Sequence, residues 1–141
     1  MNHRQITLVQ ESWKQVLNVS DAAGKLFYAR LFSLDPSLAP MFKGDMGEQR
    51  RKLIGMISVA VNGLSRIETL VPVIEALGRR HVGYGVKDHH YTTVAEALLW
   101  TLEQGLGNDF TAETKQAWIE AYGLLATTMQ QGAARLEAKA A

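Results

Sequence analysis

Apolar residues recur at intervals of three and four along almost the whole of this chain. Ile6, Val9, Trp13, Val16 and Leu17 fall on one face of a helix. Ser20 offers a side-chain oxygen for an N-cap and Asp21 suits a first turn, so a second helix is predicted. It carries Leu26, Phe27, Leu31 and Leu34 until Asp35-Pro36 stops it. Pro36 to Pro40 reads as a tight helical corner leading into Met41-Phe42, and Gly44 and Gly47 hold open the loop that follows. A long helix is predicted from about Glu48 to Arg66, with Leu53, Ile57, Ala60, Val61 and Leu64 inward. A shorter helix starts near Pro72 and ends at His81, where Gly83 and Gly85 break it. Tyr91, Val94, Leu98, Leu102 and Leu106 mark another long helix, ended by Gly107-Asn108. Thr111 can cap the last, whose inner face is Trp118, Ala121, Tyr122, Leu125 and Met129. The Ala-rich stretch from Gly132 to Ala141 is expected to fray, and nothing alternates like a half-buried strand. The expectation is one all-α domain over residues 1–141, its core about 5–131.

The helix lengths argue against a simple four-helix bundle. The last two long helices can form a hairpin while the short one flanks a cleft. Phe42, Leu53, Ile57, Val86 and Val94 would make that cleft apolar and able to hold a large flat ligand. A chain of 141 residues is long enough for such a core, burying roughly two-thirds of its unfolded surface.

Charge and composition narrow the chemistry. The net charge is +1 and the longest basic run is Arg50-Arg51-Lys52, which reads as a solvated helix start, so no nucleic-acid partner is expected. The absence of cysteine excludes disulfides, Cys-rich zinc sites, iron–sulfur clusters, thiolate-bound haem and Cys-x-x-Cys-His attachment. The N-terminus has no apolar signal core and no apolar stretch approaches a membrane span, so no membrane role is expected and the cytoplasm is the default location. His81 stands alone on an apolar helix end, while His3, His89 and His90 read as surface residues at helix starts without chemistry. One such imidazole suits a single axial bond to a flat iron cofactor better than zinc, which wants three or four ligands at set spacings. Taken alone, a lone histidine on an apolar face is more often structural.

The surrounding residues change that balance. Trp13, the run Phe27-Tyr28-Ala29-Arg30-Leu31-Phe32, Asp35-Pro36, Met41-Phe42, Leu77-Gly78-Arg79-Arg80-His81 and Ala117-Trp118 with Ala121-Tyr122-Gly123 follow one another in a telling order. In these motifs the chain resembles the globin family over about residues 5–131. It is most similar to bacterial single-domain globins and flavohaemoglobin globin domains, and in its second half to neuroglobin. The resemblance implies a globin fold, helices packed around a haem pocket, and non-covalent haem b.

It also implies roles. His81 is the implied proximal iron ligand through Nε2, with Nδ1–H donating to a carbonyl about one turn earlier. Phe42 would stack on the porphyrin edge, and Leu53, Ile57, Val86, Tyr91 and Val94 would line the pocket. Lys52 and Arg80 could reach the haem propionates, or be ordinary solvated side chains. Tyr28 and Gln49 match distal positions. A diatomic ligand that takes on negative charge is stabilised by buried donors, each contributing roughly 1.5–3 kcal/mol. The bland alternatives are a core tyrosine bonded to nearby backbone and a solvated helix-start glutamine.

Two departures from the family pattern matter. With Gln49 in place of a distal histidine, bis-histidine coordination is not expected and an open sixth site is. Flavohaemoglobins pair a tyrosine with a glutamate behind the proximal histidine; here Tyr91 matches the tyrosine, but Ala133 stands where the glutamate would be, and Glu137 lies a turn further on. The push favouring O–O cleavage is therefore expected to be weaker. Reversible O₂ binding with slow release is the leading expectation. Nitric oxide dioxygenation, combining NO and O₂ to nitrate, is the alternative. No Gly-x-Gly-x-x-Gly occurs and the chain ends after the globin-like region, so that alternative needs a reductase in trans. CO is a further expected ligand. Gas sensing would need an output partner, and a cofactor-free helical module would be colourless.

Overall fold

Caps and breakers set most of the helix ends. The computed structural model describes residues 1–140, with side chains to residue 135. Among them run six α-helices: α1 (His3–Leu17), α2 (Ser20–Leu34), α3 (Met46–Asn62), α4 (Ile67–Gly83), α5 (Asp88–Leu106) and α6 (Ala112–Ala140). Tight 3₁₀ turns occupy Pro36–Met41, Leu64–Arg66 and Gly107–Asp109. At the head of α1 the Asn2 side chain accepts from the Gln5 N–H at 2.8 Å, and the Gln5 side chain accepts from the Asn2 N–H at 3.0 Å. Asp45 caps α3 by accepting from the Gly47 N–H at 2.8 Å, and Thr111 accepts from the Thr114 N–H at 3.1 Å at the head of α6. Asp35 does the same for the Pro36–Met41 corner, accepting from the Ser37 N–H at 3.1 Å.

The core forms where α1, α2, α5 and α6 meet. Val9, Leu31, Leu102, Ala97 and Ala117 are fully buried there. Trp13 and Trp118 pack edge to face, ring centroids 5.9 Å apart. Each indole N–H finds a hydroxyl, Trp13 donating to Ser58 at 2.9 Å and Trp118 to Ser12 at 2.8 Å. The aromatic pair thus ties α1 to both α3 and α6 without stranding a donor.

α4 rests on α6 through two glycines. A β-carbon on Gly78 would lie 1.9 Å from the Met129 carbonyl oxygen, and one on Gly132 would lie 2.2 Å from that of Glu75. The backbones touch at both crossings, and the buried Glu75 carboxylate pairs with Arg135 beside them. α6 runs through Gly132, which packs at this crossing, to Ala140.

Other boundaries also differ from the pattern. Val19, not Ser20, occupies the N-cap of α2, and no side chain caps it. α3 ends at Asn62, and Leu64–Arg66 forms a separate turn. α4 begins at Ile67 and absorbs Pro72, so it is as long as α3 rather than short. The cost is one i to i−4 bond near the helix start. His90 is not a surface residue. It is buried, and its Nδ1 accepts from the Lys87 N–H at 2.8 Å, a structural cap for α5. No single helix among the described residues is long and apolar enough to cross a membrane.

Candidate functional site

His81 sits on the last turn of α4 with its Nδ1 2.8 Å from the Leu77 carbonyl oxygen. A carbonyl only accepts, so Nδ1 carries the proton and the Nε2 lone pair is left free. Burial pushes the imidazole pKa down, the Leu77 bond opposes this, and Arg80 adds to the lowering. The ring is therefore a neutral base with one defined tautomer. Beyond it, Gly85 takes φ 85°, a left-handed turn that glycine adopts without a β-carbon clash. The Val86 N–H then donates back to the His81 carbonyl at 3.1 Å, which folds Val86 against the end of α4. A cavity of about 230 Å³ lies there, lined by Val82, Val86, Lys87, Asp88, Tyr91 and Ala133. Ala133 thus shares a cavity with Tyr91. The Tyr122 hydroxyl donates to the Tyr91 carbonyl at 2.6 Å, joining α6 to α5, and burial holds its pKa well above the usual phenol value.

A second group gathers around Tyr28. Its ring meets Phe27 and Phe42 edge to face at 5.2 Å each and Phe32 at 5.8 Å, while Phe32 and Phe42 meet at 5.5 Å. The Tyr28 hydroxyl donates to the Gln49 backbone carbonyl at 3.4 Å. Ordinary O–H···O bonds span about 2.5–3.0 Å, so this one is weak and readily exchanged. Burial pushes the Tyr28 pKa up to about 12, which keeps the phenol a donor at any neutral pH. The Gln49 amide donates to the Lys43 carbonyl, also at 3.4 Å and near solvent.

Leu53 and Ile57 face a third group. With Trp13, Phe27, Leu98 and Leu102 they surround a small void of about 10 Å³. Val94 is half-buried against the same core. Lys52 is exposed and pairs with Glu48 at 3.5 Å one turn back. Arg80 is exposed and forms no ion pair among the described residues.

The residues singled out from sequence thus fall into three neighbouring groups, not around one cleft. Tyr28, Phe42 and Gln49 touch; Leu53 and Ile57 share the void; Val86 and Tyr91 share the proximal cavity. Phe32, Val82, Lys87 and Asp88 also belong to these groups and were not singled out. Phe32 was legible, one helical turn from Tyr28 on the same face. Asp88 lies one helical turn before Tyr91 on α5, while Val82 meets Ala133 only through the packing of α4 on α6, which no local pattern gives.

The globin family model matches residues 25–129, a span that contains the Tyr28 cluster, His81 and Tyr122. Neuroglobin of Danio rerio is 30% identical over 142 aligned residues, covering 91% of this chain and 89% of that protein. The chain belongs to the globin family. Neuroglobin of Tetraodon nigroviridis matches this globin equally, at 30% identity over 91% of the chain and 89% of its own length. A bacterial globin from Campylobacter jejuni superposes with TM-score 0.84 at 26% identity, over 96% of this chain and 99% of that one. An engineered carbene transferase, a candidate nitric oxide dioxygenase from Rhodothermus marinus, reaches TM-score 0.86 at 26% identity, over 98% and 96%. Globins typically bind haem and small gas ligands. The donor set here fits haem, since a neutral, half-buried imidazole on the last turn of α4 offers Nε2 as its one free lone pair.

Proposed function

We propose that this globin holds haem b non-covalently through His81 and binds O₂ reversibly. The observation that carries this is the His81–Leu77 bond, which presents Nε2 as a fixed, unprotonated ligand. Bound there, haem would supply an iron able to take up a diatomic gas. Phe42 packs against the Tyr28 ring and offers an aromatic face for the porphyrin edge. Leu53, Ile57, Val86 and Val94 contribute apolar wall that excludes water, and Tyr91 adds its ring on the proximal side. Lys52 and Arg80, both exposed, would meet propionates. Tyr28 is the principal distal donor: its hydroxyl is protonated, buried and only weakly committed to the Gln49 carbonyl. Gln49 holds an amide near the same spot, and its weak bond to Lys43 leaves it free to turn. O₂ and CO are the expected ligands, and cytoplasmic residence, without membrane or nucleic-acid contact, accords with the cysteine-free composition.

The test is His81→Gly. The variant is expected to lose its native absorption spectrum and to regain it when free imidazole is supplied. A variant that keeps the wild-type spectrum without imidazole shows that another residue holds the iron.

A second reading is nitric oxide dioxygenation with a reductase in trans. The fold likeness to the Rhodothermus marinus protein favours it. Ala133 facing the Tyr91 cavity argues for the simpler O₂-binding role, since no carboxylate from that position reaches His81 to make it more anionic. Sustained NO consumption with an added generic reductase supports the dioxygenase; a single turnover followed by arrest supports O₂ binding alone.

A further inference from the structure

The outer face of α4 carries an unusual combination of side chains. Tyr84 is 61% exposed and Val73 is 56% exposed, two of the most exposed large apolar residues in the protein. Ala76 and Arg80 follow helical spacing with them on the side of α4 turned away from α6, Tyr84 standing just past the helix end, and Arg79 flanks that line. Arg79 and Arg80 are exposed and form no ion pair among the described residues, and neither does Lys87 just beyond the turn. The only carboxylates on α4 are Glu68 in the first turn and Glu75, which is buried and paired with Arg135. Asp88, beside Lys87, lines the cavity at this basic end. The Tyr84 ring also touches the site, its edge meeting His81 with ring centroids 5.6 Å apart.

An exposed aromatic on a helix end that also carries two arginines is the composition of an interface core rather than of ordinary surface. Small contact areas and charge steering typify brief electron-transfer encounters. We propose that this face docks an acidic one-electron donor protein, with Tyr84 at the centre of contact. The inference rests on the haem reading above. In the encounter the donor gives up one electron and is left in its one-electron oxidised form, while ferric haem becomes ferrous; no bond is formed or broken. Arg79 and Lys87 attract the partner, and the Tyr84–His81 contact joins the docking face to the proximal ligand.

The experiment uses the haem-loaded protein and a reduced flavodoxin of strongly negative charge as the probe. The second-order rate of reduction is expected to fall about tenfold or more between roughly 20 and 200 mM salt. Arg79→Glu is expected to slow it about tenfold with no change in the rate of reduction by dithionite, and Val73→Asp to do the same. Lys115→Glu, an equal charge change on α6, is expected to have little effect. A second readout is independent of turnover: adding oxidised flavodoxin should shift backbone amide resonances between residues 73 and 87. Equal slowing by Lys115→Glu and Arg79→Glu, or amide shifts elsewhere, overturns the proposal while leaving the haem assignment intact. Failure to take up haem at all overturns the assignment instead.

Discussion

Replacing Gly78 with alanine tests how α6 fixes the height of α4. The added β-carbon would sit 1.9 Å from the Met129 carbonyl oxygen and within 2.7 Å of two further backbone atoms. Ordinary contact begins at 3.4 Å, so the two helices must separate locally by about 1.5 Å. Nothing on the α6 side can rotate away, because the obstacle is main chain. Overpacking of this kind costs roughly 1–3 kcal/mol, and here the upper end applies. Alanine recovers about 1 kcal/mol through helix propensity. The net expectation is a loss of about 2 kcal/mol, read by urea unfolding, with faster haem loss because His81 is displaced with its helix. Gly55→Ala and Gly123→Ala are the controls. Both glycines lie inside helices with nothing within 4 Å of an added β-carbon, so each should stabilise by about 0.5–1 kcal/mol. A Gly78→Ala protein as stable as Gly55→Ala, with unaltered haem retention, would falsify the account of this crossing.

Tyr28→Phe should speed O₂ dissociation about tenfold or more, since a donor to a charged ligand contributes roughly 1.5–3 kcal/mol. Little folding stability should be lost, because the bond given up is only the 3.4 Å contact to Gln49; stopped-flow release indistinguishable from wild type removes Tyr28 from the distal role. Tyr28 also predicts an alkaline effect. Its folded pKa of about 12 lies above the ordinary phenol value of 10, so the unfolded chain loses that proton first. The stabilisation is complete below pH 10 and is lost as pH rises through 12, so wild type should lose more stability than Tyr28→Phe over that window; parallel urea profiles contradict this. Ser12→Ala leaves the buried Trp118 N–H without its 2.8 Å acceptor and should cost about 1–3 kcal/mol, whereas a neutral result means water or a neighbour replaces the hydroxyl.

How much of this was legible in sequence depends on range. Apolar periodicity places α1, α2 and α5 within a few residues, because each has a continuous inner face and a nearby breaker. It misplaces the start of α4, since Pro72 reads as a boundary but is absorbed by a helix whose stability comes from packing on α6. Gly132 has a role that local propensity does not show: a residue that weakens an isolated helix is required where two backbones touch. His81 stood out through its neighbours, and its Leu77 partner follows from helix geometry alone. His90 reads as a surface residue from sequence, whereas its ring caps the head of α5 at the Lys87 N–H and is buried there. The cavity of Val82, Lys87, Asp88 and Ala133 depends on the packing of α4 on α6, and no local pattern announces it.

The central claim, one histidine on iron with the opposite side open, is tested most directly by the absorption spectrum of the protein reduced without air and then exposed to O₂. A Soret band with a single broad visible band, resolving into two bands on exposure to O₂, is the predicted result. Sharp split bands already present before O₂ mean that a second side chain occupies the iron and the distal assignment of Tyr28 and Gln49 is wrong. No Soret band after haem is added contradicts the claim that His81 anchors a haem at all.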